Sequence, residues 1–303
     1  MAKNIPPAPY TIARSSRRSG APELIKTESV NLETFPISGA IVPNHPEFPE
    51  HWHRFIEIVL VVKGTAIHVI NGHGIPIFSG HVFVMPPSFK HALLQTNDLR
   101  VIVVCYNPAE MDLQERDLDD LPGYRALFQV EPRLRSAGVG NHILQLSKAD
   151  LSRVEAIADT VVQESCNRPA GFRVMAKARL LQFIVELARL YHAKPSSPKR
   201  EATRLAGALR YIEDNLAEPI DIDSLCRRLH FSKRSFYRLF KAVTGDSPLN
   251  YLRSCRLNEA ARMFRESEKT ISEIAFAVGF QDPSHFSRSF HKRFGTSPSE
   301  YRL

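Results

Sequence analysis

The hydrophobic pattern of residues 222–251 is written twice. Ile222, Leu225, Leu229 and Phe231 return 49 positions on as Ile271, Ile274, Val278 and Phe280. Phe236, Phe240, Gly245, Pro248 and Tyr251 return 50 positions on as Phe286, Phe290, Gly295, Pro298 and Tyr301. The offset changes by one between the two sets, which puts a one-residue insertion near Asp282–Pro283. Self-similarity at a fixed spacing means one supersecondary unit built twice. The spacing predicts a pair of helix–turn–helix units.

Within each copy, residue chemistry predicts a short helix, a tight turn and a second helix. Asp221 or Asp223 caps the first helix of copy one, and Ser272 or Glu273 opens its counterpart. The turn needs a residue that tolerates positive φ, which is Gly279 in copy two and His230 in copy one. Ser232, and Asp282 or Pro283, begin the second helices. Phe236, Leu239, Phe240 and Val243 then recur at i, i+3, i+4 and i+7 and face a core, leaving Arg234, Tyr237, Arg238 and Lys241 opposite. In copy two Phe286, Phe290 and Phe294 turn inward, which leaves Ser284, Ser287, Arg288 and His291 outward beside His285. Such an outer face suits the DNA major groove, where Arg bonds guanine bidentately and Ser or His reach base edges or phosphate. One amphipathic helix kept charged for solubility has the same pattern; two of them, each after a tight turn, favour DNA.

Residues 247–266 read as one continuous helix, capped at Ser247 with Pro248 in its first turn. At about 1.5 Å per residue it spans roughly 28–30 Å. That is near the ~34 Å repeat of the duplex, so one rod can set two reading helices into successive major grooves. Arg253, Arg256 and Arg262 along it either touch phosphates or pair with Glu259 and Glu266. The charge agrees with a polyanion partner: of the net +8, residues 196–303 carry +6 and residues 1–195 only +2.

FSKRSFYRLFKAVTG, LNYLRSCRLNEAARMF and ISEIAFAVGFQDPSHFSRSFHKRFGTSPSEYR together resemble the DNA-binding block of the AraC/XylS family of bacterial transcription regulators. The resemblance covers 221–303. It implies base-contacting positions at Arg234, Ser235, Tyr237 and Arg238 in copy one and at Ser284, His285, Ser287 and Arg288 in copy two. Lys241 and Lys292 complete the DNA-facing sets. Cys226 stands where the family commonly has Ala, and His230 where it commonly has Gly.

The N-terminal half reads differently. Residues 1–28 read as a flexible arm, rich in Pro, Ser and Arg. EIVLVV (57–62), TAIHVI (65–70) and RVIVVCY (100–106) read as strands, and Asn71–Gly72 favours a type I′ turn. Many short strands punctuated by Gly and Pro predict a β-sandwich or barrel over 29–146. Two helices follow across 147–193. The first is capped by Ser147 and carries Leu151, Val154, Ile157, Ala158 and Val161. The second, 173–192, has Leu180, Leu181, Ile184, Leu187 and Tyr191 in its apolar stripe. They pack on the sheet and offer a dimerisation surface. KPSSPKR marks an interdomain linker, 194–202, before the DNA-binding domain 203–303. The expected fold class is two-domain α+β.

HWHRFIEIVLVVKG reads His–x–His–x3–Glu–x6–Gly, and GHVFVMPPSFKH reads Gly–x5–Pro–x4–His. Period two on a strand puts His51, His53, Phe55 and Glu57 on one face, with Trp52 and Arg54 opposite. The two motifs resemble those of the cupin barrel, with Ser88 in place of a customary Gly. They imply a ligand or metal site at His51, His53, Glu57 and His91. Three His and a Glu can hold a divalent metal with open positions, hydrogen-bond a polyhydroxylated ligand without one, or form a purely structural polar cluster. No cofactor is required by the resemblance. Residues 48–106 resemble the sensor domain of the L-rhamnose-responsive activators of the family, which implies a sugar effector. Arg54, His68 and Trp52 stand near these motifs and are not assigned to the site.

Four well-separated cysteines, no ~20-residue apolar run and no secretory signal predict a reduced, cytoplasmic protein that does not meet a membrane. The expected function is a non-enzymatic, DNA-binding transcription regulator of the activating kind, controlled by a sugar. Its expected partners are promoter half-sites in adjacent major grooves, RNA polymerase and a second copy of itself. The alternative is a metal-dependent cupin enzyme fused to a DNA-binding domain.

Overall fold

The computed structural model describes residues 23–25, 32, 35–111, 118–140, 142–193 and 197–302. The chain divides into two compact units, Met1–Thr203 and Arg204–Leu303. Most of the predicted arm lies outside the described residues. Its Glu23–Ile25 forms a short strand, β1, running parallel to His51–His53.

Seven further strands build the first unit's sheet: β2 (Ile37–Val42), β3 (Phe48–His53), β4 (Ile56–Ile70), β5 (His73–Phe78), β6 (His81–Met85), β7 (His91–Tyr106) and β8 (Leu144–Gln145). The order is β1-β3-β7-β4-β6-β8, with β2 added on β7 and β5 on β4. β7 organises this arrangement. Its first residues pair with β3, its last with β2, and β4 runs antiparallel along it.

Two runs read separately in the sequence, 57–62 and 65–70, are one strand. The pairing of β4 with β7 shifts register around Lys63–Thr65, so the strand bends through bulges without ending. Asn71 (φ 45°) and Gly72 (φ 81°) make the predicted reversal into β5. Ile58, Leu60, Val82, Val84, Val101 and Val104 are all fully buried, as residues of a sheet covered on both sides must be.

A helical segment follows: α1 (Pro122–Arg125), a π-helical turn (Ala126–Val130) and α2 (Glu131–Ser136). Then come α3 (Lys148–Asn167), capped by Ser147 as predicted, and α4 (Phe172–Ala193). Val154, Ala158 and Val161 of α3 are buried, and the helix packs on β2. On α4 the inward stripe is Leu180, Phe183, Ile184, Leu187 and Tyr191, with Leu181 only half-buried.

The predicted linker 194–202 ends beside the division between the units and is helical over much of its length. A helix, α5 (Ser197–Asp214), occupies it from Ser197 onward. Pro198 sits in its first turn, where a missing N–H costs nothing, so Ser–Pro begins a helix here instead of breaking one.

The second unit is all helix: α6 (Ile222–Arg228), α7 (Lys233–Thr244), α8 (Pro248–Glu266), α9 (Ile271–Ala277), α10 (Pro283–Phe294) and α11 (Pro298–Arg302). The repeat extends to ring packing. Phe240 meets Tyr251 at 5.4 Å and 81°, and Phe290 meets Tyr301 at 5.3 Å and 81°. Both second helices, α7 and α10, end on a left-handed glycine, Gly245 (φ 80°) and Gly295 (φ 75°). At the turns His230 takes φ 53° and Gly279 φ 89°, the conformation predicted for both. The caps are Asp221, Ser232, Ser247 and Asp282. The cap of α9 corrects the reading: Thr270, not Ser272 or Glu273, is the N-cap, and Glu273 closes a capping box back onto it.

Candidate DNA-reading helices and ligand cavity

α7 and α10 are the second helices of the two copies. Ser232 Oγ accepts from Ser235 N at 3.2 Å to start α7. Asp282 accepts from Ser284 N at 2.9 Å and His285 N at 3.1 Å to start α10, and those backbone bonds hold its carboxyl below the usual range. Phe236, Leu239, Phe240 and Val243 fill the inner side of α7, and Phe286 and Phe290 that of α10.

The outer sides carry the predicted sets. Arg234, Arg238 and Lys241 are exposed on α7, with Ser235 and Tyr237 half-buried between them. Ser284, His285, Arg288 and Lys292 are exposed on α10, with Ser287 half-buried. The side chains of Arg234, Arg238, Lys241 and Lys292 make no hydrogen bond or ion pair to any described residue. Lys233, by contrast, is held by Asp223 at 2.8 Å.

On the rod α8, two of the three arginines named from the sequence have partners. Arg256 donates to the carbonyls of Leu216 (2.6 Å) and Glu218 (2.9 Å), and Arg262 pairs with Glu259 and Glu266. Arg253 stays exposed. Sequence reading missed Arg293, which ties α10 to α8 through Asn258 Oδ1 (2.9 Å) and Ser254 Oγ (3.2 Å).

The first unit contains a narrow cavity, in which the centre of a water molecule can range over only about 10 Å³. His45, Phe48, His51, Glu57, His68, Phe83 and His91 line it, with apolar residues of β4 and β7 behind. Of the predicted ligands, His53, Glu57 and His91 bring their ligating atoms within 4.8 Å of one another. His51 Nε2 lies 2.6 Å from His91 Nε2.

The route differs from the predicted alternation along one strand. β3 ends at His53 and the chain turns at Arg54–Phe55, so the two histidines arrive on β3 and Glu57 on β4. Trp52 is half-buried and Arg54 exposed, away from the cluster. Ser88 takes φ 70°, a conformation that glycine adopts freely.

Burial governs the electrostatics. It lowers His51 to about 4 and pushes His68 and His91 well below the usual imidazole value. For Glu57 burial works upward, but His53 and His51 outweigh it and hold the carboxyl below its usual range. His45, His51, His68 and His91 therefore line the cavity as neutral imidazoles beside the Glu57 carboxylate at neutral pH.

His45, His68 and the Glu131–Arg135 pair are not assigned from sequence. His68 follows the alternation of Ala66, His68 and Ile70, all buried, and that pattern is the available signal. Arg135, fully buried with Glu131, carries no motif at all.

A ligand-binding sheet domain followed by paired, capped helices with free cationic faces defines a DNA-binding transcription regulator. Comparison with known proteins agrees. Residues 41–156 match the AraC-like ligand binding domain and residues 225–303 a helix-turn-helix domain. The HTH-type transcriptional activator RhaS of Escherichia fergusonii is 30% identical over 281 residues, covering 91% of this chain and 97% of its own. RhaS of Shigella boydii is 28% identical over 90% of this chain and 95% of its own. Among solved structures, the DNA-binding domain of AdpA in complex with a target DNA is 32% identical over 33% of this chain and 89% of its own, with a TM-score of 0.32. The chain belongs to the AraC family of transcription regulators. No helix among the described residues is long and apolar enough to cross a membrane.

Proposed function

We propose that this protein is a cytoplasmic transcription activator that grips promoter DNA at adjacent major-groove half-sites and is switched by a neutral sugar, L-rhamnose or a close relative. Arg234, Ser235, Tyr237, Arg238 and Lys241 read one half-site, and Ser284, His285, Ser287, Arg288 and Lys292 the other. The observation that carries the DNA half is the unpaired state of Arg234, Arg238, Lys241 and Lys292 on two helices whose opposite faces are fixed in a core. The sugar half is supported by the resemblance to RhaS and by a cavity that mixes neutral imidazoles, a carboxylate and the aromatic faces of Phe48 and Phe83. A second copy of the chain and RNA polymerase complete the proposed partners. Val174 and Met175, exposed at the start of α4, support a pairing surface there.

The test is a gel-shift series on the full chain with its own promoter fragments, with and without L-rhamnose, alongside sizing to read the dimer. Binding should weaken steeply with salt, since phosphate contacts release counterions. Absence of any retarded band at low salt sinks the proposal.

A divalent metal in the cavity is a second reading, favoured by one observation. His53 gives its Nδ1–H to Phe55 O (2.8 Å), which leaves Nε2 buried without a partner and 3.6 Å from Glu57. Backbone-oriented imidazoles are how metal-binding histidines are commonly held. His51, His53, Glu57 and His91 would hold the ion, which would supply a Lewis-acid contact to ligand oxygens. Metal analysis of the purified chain and thermal melts after chelation test this. Stoichiometric metal together with turnover of sugars would instead support an enzyme.

A further inference from the structure

Arg135 is buried behind His68, a wall residue of the cavity, with all five N–H donors engaged. Nε donates to Glu131 Oε1 at 2.8 Å, Nη2 to Glu131 Oε2 at 3.3 Å and to Val84 O at 2.7 Å. Nη1 reaches His68 Nδ1 at 3.0 Å and Met85 Sδ at 3.6 Å. The guanidinium also lies over the ring of Phe83, on which His68 stacks.

This arrangement dictates which nitrogen of His68 holds its proton. A guanidinium can only donate, so Nδ1 of His68 must accept, and the neutral imidazole carries its hydrogen on Nε2. That Nε2 is buried, has no partner, and belongs to a cavity-lining ring. Across the cavity the polarity is reversed. His51 gives its Nδ1–H to Pro49 O at 2.8 Å, so its Nε2 is an acceptor, taken up by His91 Nε2 at 2.6 Å, and beside it stands the Glu57 carboxylate, which can only accept. The unpartnered donor of His68 thus shares the cavity with the Glu57 carboxylate as acceptor. A hydroxylated molecule satisfies both sides, because each hydroxyl donates and accepts. A carboxylate ligand does not, since it brings no donor and meets Glu57.

The same ion pair reaches outward. Glu131 opens α2 immediately after the π-helical turn 126–130, and such turns absorb shifts of register. At the start of this segment Gly123 lies against α4 so closely that a Cβ would come within 1.9 Å of Ala188 O. Tyr191 of α4 lies in the field of Glu131 and Arg135, and its hydroxyl donates to His142 O at 3.1 Å. The cavity is narrow, so a pyranose enters only as side chains part.

We infer that the buried Glu131–Arg135 pair reads the cavity: it holds His68 as the hydrogen-bond donor to a neutral, hydroxylated ligand and carries the displacement of His68 to α4. This rests on the proposed small-molecule control of the sensor unit.

Three measurements on the full chain test it. Nitrogen NMR of histidine-labelled protein, with no ligand present, should show His68 as the Nε2–H tautomer; the Nδ1–H form overturns the donor assignment. With L-rhamnose as the probe, His68→Phe keeps the ring stacked on Phe83 but should weaken binding about tenfold, the cost of one buried hydrogen bond. His68→Gln, which retains a donor, should keep most of it. Hydrogen exchange across residues 172–193 should change on adding L-rhamnose to the parent chain and stay unchanged in E131Q/R135Q. Equal responses in parent and double variant, or parental affinity in His68→Phe, overturn the inference. If the double variant does not fold, the tautomer and His68→Phe decide the matter. If the parent chain itself ignores L-rhamnose and related neutral pyranoses, the sugar reading falls, a result distinct from any difference between parent and variants.

Discussion

The two units handle their interiors in opposite ways. The first buries His45, His51, His53, Glu57, His68, His91, Glu131 and Arg135 alongside its aliphatic core. Among the described residues of the second, the buried side chains are apolar, and its charges stand on the outside. Buried polar groups are costly unless they are paired, so a fold that keeps many of them keeps a place for something else to pair with. A dry core carries no such opening. It serves to hold two helices rigid while their far sides meet a partner.

Core truncation should separate the units most sharply. Phe286→Ala removes a ring buried against Phe264, Phe280 and Phe290. It should cost about 3–5 kcal/mol, lowering the unfolding midpoint of the second unit in denaturant while the sensor transition stays in place.

Acid should do the reverse. His51 has a folded value of about 4 against 6.5 in the unfolded chain. Above 6.5 neither state takes the proton and stability is flat. Between 6.5 and 4 the unfolded chain binds a proton that the folded one refuses, so stability falls as pH falls, by about 3 kcal/mol for this group alone. His68 and His91 act in the same direction, and Glu57, held low in the fold, adds a further loss once pH drops through its folded value. Melts from pH 7 to 4.5 should show the sensor unit weakening first. An equal loss in both units would break the contrast.

The two turn positions sharpen the comparison within the second unit. Gly279→Ala forces a side chain into φ 89° with its Cβ 2.6 Å from Ala217 O, and should cost about 1–3 kcal/mol of stability. His230→Gly relieves the equivalent position and should gain up to about 1 kcal/mol. Thermal melts of both variants read the pair.

At the outer faces, Arg238→Ala and Arg288→Ala should each weaken specific DNA binding by about 1–3 kcal/mol and leave melting unchanged, as measured by titration against matched and mismatched operators. Unaltered selectivity in both removes them from base reading.

The repeat is readable because helical periodicity, caps and left-handed turn positions are local. Ser232, Asp282, His230 and Gly279 act within a few residues of themselves, so their spacing alone implies where the helices begin, turn and end. Thr270 is hidden only because its partner Glu273 is itself an acceptable starting point. The linker misleads for a related reason: Ser197–Pro198 stops a helix or starts one, and the choice depends on whether residues 199–214 find an apolar surface to pack against.

In the sensor unit, sequence determined which residue types meet, namely His51, His53, Glu57 and His91 through their motif spacing. Tertiary structure decided how they meet, by a turn between two strands, and added His45, His68 and the Glu131–Arg135 pair. The ion pair comes from a segment far along the chain, joined to the cavity only when β6 and the helical segment pack. Periodicity records which face a side chain takes on its own element. Which elements those faces then share depends on long-range pairing, and no short window of sequence contains it.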